Sequence, residues 1–114
     1  MTEAEITSVL GELTTAYGQA NRLKVICEEA GKFARARRLR ARVAALKRQK
    51  DRLARRLLRT WTGDAAALAA DLARRNEELA ARTEELRQDM ARGAVFTSAV
   101  ECLDEILAVL RKIP

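Results

Sequence analysis

The chain has 114 residues, enough for one domain, and alanine, arginine, leucine and glutamate supply 65 of them. These residues favour helices, whereas valine, isoleucine and threonine total 18 and Pro114 is the only proline, which excludes a β-sandwich or barrel. The net charge is +6. The chain has no histidine, only two serines and no glycine-rich phosphate loop, so we predict that it is not an enzyme and that it binds no cofactor, metal or small-molecule substrate.

Two helices are predicted in the first half of the chain. Thr2-Glu3-Ala4-Glu5 has the capping-box pattern and predicts a helix over residues 3–29. Its apolar stripe comprises Ile6, Leu10, Leu13, Tyr17, Ala20 and Cys27. A second stripe, out of phase with the first, comprises Ala36, Leu39, Val43, Leu46, Leu53 and Leu57. One straight helix cannot bury both stripes, so we predict a turn near residues 29–32, at Gly31, and a second helix over 33–60.

Two further helices are predicted in the second half. Asp64 is a candidate N-cap for a helix over residues 64–91, which Gly93 is expected to stop. The buried line of this helix is expected to comprise Leu68, Leu72, Leu79, Leu86 and Met90. Ser98-Ala99-Val100-Glu101 has the capping-box pattern again and predicts a last helix over 98–112.

The fold class that follows is all-α. We predict one helical domain over residues 1–114, an elongated antiparallel helical hairpin or three-to-four-helix bundle with coiled-coil-like packing. Of 55 apolar residues 22 are alanines, so the core of large side chains is thin, and a partner protein or self-association is expected.

Several features bear on cellular location. The longest uncharged run, residues 13–21, is too short for a membrane span, and the start lacks a basic region, so we expect no signal peptide. Cys27 and Cys102 are 75 positions apart and are interpreted as small buried residues of a cytoplasmic protein.

Trp61-Thr62-Gly63 resembles the turn of WXG-type secreted helical hairpins, but the tyrosine-based export element of that family is missing. We therefore interpret Trp61 as an aromatic cap over the helix junction.

The positive charge is concentrated in one predicted helix. Residues 1–30 and 61–114 each sum to −3, whereas residues 31–60 sum to +12, with Asp51 as their only acid. Nearly all of the basic residues fall outside the apolar seam, so this helix can be buried on one side and still present cations. Arginine binds phosphate bidentately, which makes a nucleic-acid backbone a natural counter-charge. The predicted phosphate contacts are Arg48, Arg52, Arg55 and Arg59, followed by Arg35, Arg38 and Arg42.

Three interpretations of the basic helix stay open. The first is a non-enzymatic subunit that binds the RNA or DNA backbone; base-specific readout is less supported, because the basic stretch lacks interleaved aromatics. As a small, all-helical and basic chain, it resembles the small subunits of CRISPR effector complexes and phage or nucleoid accessory proteins, although it shares no motif with them. The second is an adaptor, inhibitor or chaperone that binds an acidic protein surface. The third is a solvated face, with the acidic pairs Glu77/Glu78 and Glu84/Glu85 packed opposite.

Overall fold

The computed structural model describes residues 2–54 and 58–113. Within these residues the chain forms five helices and no strand: α1 (Glu3–Glu29), α2 (Phe33–Arg52), α3 (Leu58–Thr60), α4 (Ala65–Gln88) and α5 (Gly93–Arg111). The helices pack into a bundle of 44 × 21 × 19 Å. The predicted all-α bundle is therefore confirmed.

Each of the four long helices has two main neighbours. Helix α1 packs against α2 and α4, and α5 packs against α4 and α2, so that α2 and α4 lie at diagonal corners. A hydrogen bond links Glu12 of α1 to Asn76 of α4. Another joins Arg52 of α2 to the carbonyl oxygen of Ile113, just after α5. Contacts nearer the other end of the bundle join Arg22 to Glu84, which makes α1 parallel to α4.

The two ends of α1 follow the sequence signals. The Thr2 hydroxyl accepts a hydrogen bond from the Glu5 amide (3.2 Å), and the Glu5 carboxylate accepts one from the Thr2 amide (2.7 Å), which confirms the capping box. At the other end Gly31 has a φ of +74°, and the Lys32 amide donates to the Cys27 carbonyl (2.8 Å). This Schellman motif forms the predicted turn, and it needs glycine at the left-handed position.

The buried stripes agree with prediction except in α1. In α2 the predicted residues 36, 39, 43 and 46 are buried, as is Leu53 directly after the helix, and Leu57 lies outside the described residues. The four leucines predicted for α4 are buried and Met90 is half-buried, with Asn76 and Thr83 in the same seam. The buried stripe of α1 comprises Val9, Leu13, Ala16, Ala20, Leu23 and Cys27. It shares Leu13, Ala20 and Cys27 with the prediction, and the other predicted residues, Ile6, Leu10 and Tyr17, are partly buried against the core. The buried face is therefore wider than one stripe, because α1 contacts both α2 and α4.

Helix α5 begins earlier than predicted. It starts at Gly93, and Ser98 lies inside the helix, where its hydroxyl accepts a hydrogen bond from Arg82 Nε (3.1 Å). The capping box predicted at Ser98 is therefore wrong. Val95 and Phe96 are buried against the core, so their packing extends the helix backwards through Gly93. The predicted second helix is helical throughout its described part: α2 covers Phe33–Arg52, residues 53–54 continue as π-helix and α3 covers Leu58–Thr60, while residues 55–57 lie outside the described residues.

The segment before α4 behaves as the sequence indicates. Asp64 Oδ1 accepts a hydrogen bond from the Ala67 amide (3.0 Å), which confirms Asp64 as the N-cap. Trp61 is half-buried and packs against the core at this junction. A Cβ at Gly63 would overlap the Trp61 indole, so the glycine leaves the space that the ring occupies.

Candidate nucleic-acid interface

Three arginines of α2 are turned towards α5, and the first is Arg35. Its Nη1 donates a 2.7 Å hydrogen bond to the Met90 carbonyl in the turn before α5. Its guanidinium carbon also lies 5.1 Å from the centre of the buried Phe96 ring. Arg38, one turn further along, lies 5.3 Å from the same ring but remains exposed. Cations over an aromatic face stabilise this end of the bundle.

Arg42 makes the second contact, near the middle of α2. Its Nε and Nη2 donate to the two carboxylate oxygens of Asp104 on α5, at 2.8 and 3.2 Å. Its Nη1 donates to the Arg38 carbonyl (3.0 Å). The guanidinium is thus held by a forked ion pair, and about a quarter of the side chain is exposed.

Arg52 makes the third contact, at the C-terminal end of α5. Its Nη1 and Nη2 donate to the carbonyl oxygens of Ile113 and Leu110, both at 3.1 Å. Its Nε donates to Gln49 Oε1 (2.9 Å). Carbonyls at the C-terminal end of a helix carry partial negative charge, so Arg52 caps the end of α5. It adds a second donor to the Leu110 carbonyl, which also accepts from the Ile113 amide (3.2 Å), and it contacts the Ile113 carbonyl just beyond the helix.

The solvent side of α2 carries a second set of cations, which we call the outer face: Arg37, Arg40, Lys47 and Arg48. All four are exposed, and within residues 2–54 and 58–113 none makes an ion pair or a side-chain hydrogen bond. Helical spacing places them on one side, with the exposed Ala41 and Ala44 between them. The set spans about 16 Å along the axis at 1.5 Å per residue. The exposed Asp51 follows it.

The predicted phosphate contacts therefore divide into separate groups. Arg48 lies on the outer face, and Arg38 and Arg59 are exposed beside or beyond it. The structure turns Arg35, Arg42 and Arg52 inward to α5, and Arg55 lies outside the described residues. Three members of the outer face, Arg37, Arg40 and Lys47, are not among the predicted phosphate contacts. Their spacing opposite the Leu39 and Leu46 seam was the available signal.

The acidic residues of α4 do not face the basic helix. Glu84 pairs with Arg22 of α1 and with Arg87, and the hydrogen bond from Arg87 lowers the pKa of the Glu84 carboxyl. Glu85 pairs with Arg82 and lies 3.9 Å from Arg92. The interpretation that the pairs Glu77/Glu78 and Glu84/Glu85 pack opposite the basic residues of α2 is wrong, because α4 lies at the diagonal corner.

The two cysteines are buried, as predicted. Neither is in a disulfide, and burial raises the pKa of both the Cys27 and the Cys102 thiols. Arg35 acts against this shift at Cys27, and Arg82 acts against it at Cys102. A raised pKa keeps both as neutral thiols, which pack as small apolar side chains.

Among the described residues, no group of three or more histidine, cysteine or acidic side chains is placed to hold a metal ion. No helix in that part of the chain combines the length and the apolar character that a membrane span requires. In comparisons with known proteins, the chain matches no family model, no curated protein and no solved structure.

Proposed function

We propose that this protein is a non-enzymatic subunit that binds the phosphate backbone of nucleic acid through the outer face of α2. The observation that carries the proposal is the set Arg37, Arg40, Lys47 and Arg48, exposed on one helix face without an acidic partner among the described residues. Like charges at this spacing repel each other, so an anionic ligand would stabilise them. A row of phosphates has the matching charge.

Binding would be driven by counterion release. Each cation that neutralises a phosphate displaces condensed counterions, so the affinity falls as salt rises. Four phosphate contacts correspond to a slope of about −3 in log affinity against log salt for a single strand, at roughly −0.7 per contact. Ala41 and Ala44 between the cations allow a backbone to approach the helix closely. Arginine adds forked hydrogen bonds to phosphate oxygens.

So few contacts give modest affinity, which is why we place the chain in a larger cytoplasmic nucleoprotein assembly. The narrow bundle leaves its long sides available to a second copy or a partner protein. The free thiols of Cys27 and Cys102 fit a reducing compartment. Light scattering on the purified, nuclease-treated protein would measure its mass, with a multiple of the chain mass expected.

The direct test compares two variants of equal charge. The outer variant carries Arg37→Gln, Arg40→Gln and Arg48→Gln. The control carries Arg92→Gln, Arg111→Gln and Lys112→Gln, which are exposed residues at the two ends of α5 rather than on α2. Binding to labelled DNA and RNA is measured across a salt series. The outer variant is expected to lose most binding and to flatten the salt slope by about 2, at roughly 0.7 per contact, whereas the control keeps both.

Equal losses in the two variants would mean that net charge alone drives binding and would overturn the named surface. No binding by the unmodified protein at low salt would overturn the nucleic-acid proposal itself. The outer face would then be tested against acidic protein partners, the alternative that the same charge pattern allows.

A further inference from the structure

One large apolar side chain stands out on the surface of α2. Phe33, the first residue of the helix, is 66% exposed; among the described residues the other exposed large hydrophobic is Val25, at 37%. Phe33 precedes Arg37 by four residues and Arg40 by seven, so it lies on the same side of the helix as both. An aromatic ring therefore lies at the N-terminal end of the outer face, which corrects the expectation that the basic stretch lacks aromatics among its cations.

The fold gives Phe33 no internal role. Phe96, by comparison, is 3% exposed and has the guanidinium groups of Arg35 and Arg38 above its ring. Phe33 has neither burial nor, within the described residues, a cation over its face. An aromatic ring at the end of a row of unpaired cations is the arrangement that proteins use to stack a base and hold the adjoining phosphates.

We propose that the outer face binds single-stranded nucleic acid, with one base stacked on Phe33 and the following phosphates along Arg37, Arg40, Lys47 and Arg48. This inference rests on the proposed function and narrows its ligand. In a duplex the base faces are covered by neighbouring bases, so Phe33 can stack only on an unpaired base. From Phe33 to Arg48 is about 22 Å at 1.5 Å per residue, which a stacked strand spans with roughly six nucleotides at 3.4 Å each.

The experiment measures the binding of three forms of the full chain to labelled oligothymidylate, oligouridylate and a long duplex at low salt. The forms are the unmodified protein, Phe33→Leu, which keeps an apolar side chain without a π-face, and Phe33→Trp, which keeps the stacking surface. We expect the unmodified protein to prefer single strands. Phe33→Leu is expected to lower single-strand affinity about 5- to 150-fold, the range for loss of one stacked base, and to leave the salt slope unchanged.

Phe33→Trp is expected to retain single-strand binding, and duplex affinity is expected to be the same for all three forms. DNA and RNA single strands both offer a base and a phosphate, so either could be the ligand. Comparing the affinities for oligothymidylate and oligouridylate shows which of the two the protein prefers. Single-strand affinity unchanged in Phe33→Leu, or a duplex loss as large as the single-strand loss, would overturn this inference. In either case a loss of binding in the outer variant would leave the proposed function standing. No binding by the unmodified protein would end both.

Discussion

The two sides of α2 use the same residue type for different purposes. On the side facing α5, Arg35, Arg42 and Arg52 donate to a turn carbonyl, to Asp104 and to carbonyls at and just beyond the end of α5. On the outer face, Arg37, Arg40 and Arg48 have no acceptor among the described residues. Seventeen positions separate Arg35 from Arg52, so the inward contacts join α2 to α5 over about 25 Å at 1.5 Å per residue.

This difference shows that a strongly basic segment is not by itself a binding surface. Some of its arginines instead hydrogen-bond to a neighbouring helix and hold the two helices together. Carbonyl oxygens at a helix end and a single aspartate are sufficient acceptors for this. Only the remainder is available to a ligand. A substitution in α2 therefore changes either stability or binding, according to which side it lies on.

The largest expected effect comes from removing all three inward contacts. The inner variant Arg35→Gln, Arg42→Gln and Arg52→Gln is expected to lower the free energy of unfolding by about 3 kcal/mol, at roughly 1 kcal/mol for each half-exposed charged hydrogen-bond set. The outer variant of equal charge is expected to be as stable as the unmodified protein, since it loses repulsion and no contact. Urea unfolding followed by helical circular dichroism measures both. Equal destabilisation of the two variants would contradict the division.

The same division changes how a binding experiment is designed. A variant designed from the predicted phosphate contacts alone would change Arg48 together with Arg52 and Arg55, but Arg52 caps α5. A loss of binding in that variant would mix a weakened α5 with a lost ligand contact. Substitutions confined to the outer face avoid this, and the inner variant serves as their stability control.

A smaller effect is expected where charge is kept and geometry is changed. Arg42→Lys retains the charge opposite Asp104 but loses the forked pair, and is expected to lower the free energy of unfolding by about 1 kcal/mol. Arg40→Lys on the outer face is expected to stay within about 0.5 kcal/mol of the unmodified protein. The same urea titrations measure this pair. A cost at Arg40 as large as at Arg42 would mean that Arg40 has an acceptor in solution.

Much of the fold was predictable from local patterns. The capping box at Thr2, the Schellman glycine Gly31 and the N-cap Asp64 each depend on residues within a few positions, and all three are confirmed. The capping-box pattern at Ser98 failed, because buried Val95 and Phe96 extend α5 through it. Local signals mark possible helix ends, and tertiary packing decides which of them are used.

The division of α2 was not predictable in the same way. Periodicity identifies the seam through Leu39 and Leu46, but the residues flanking it are equivalent until the fold places α5 beside one flank. Arg35 and Arg42 were chosen as ligand contacts from charge alone, and their acceptors lie 55 and 62 positions away in the chain. No local pattern reports a partner at that separation.

Acid is expected to affect the Asp71 cluster of α4 more than the contacts that Arg35 and Arg52 make from α2. Burial raises the pKa of the Asp71 carboxyl, but hydrogen bonds from Arg74 and Arg75 outweigh it, so this pKa lies below its ordinary value. A carboxyl with a lower pKa in the folded state stabilises the fold above its unfolded pKa, and this stabilisation is lost as the pH falls through the folded value. Stability should therefore decline below about pH 4.

The hydrogen bonds that Arg35 and Arg52 donate are expected to keep their strength in acid. Their acceptors are backbone carbonyls or, at Gln49, a side-chain amide, and none of these groups gains a proton in this pH range. Thermal unfolding from neutral pH downwards, with Asp71→Asn beside the unmodified protein, measures the contribution of α4. The variant is expected to be less stable at neutral pH and to lose less on acidification. Parallel pH curves for the two proteins would contradict a native role for the Asp71 carboxylate.

The smallest expected effect concerns the exposed acid that follows the outer face. Asp51 comes three residues after Arg48 and forms no ion pair within the described residues, so its charge opposes phosphate binding without stabilising the fold. Asp51→Asn is expected to raise nucleic-acid affinity about twofold at low salt, an effect that screening removes at high salt. Glu77→Gln on the diagonal helix α4 changes the net charge equally and should have no such effect. Equal gains in both variants would show that the ligand responds to the whole molecule's charge rather than to the outer face.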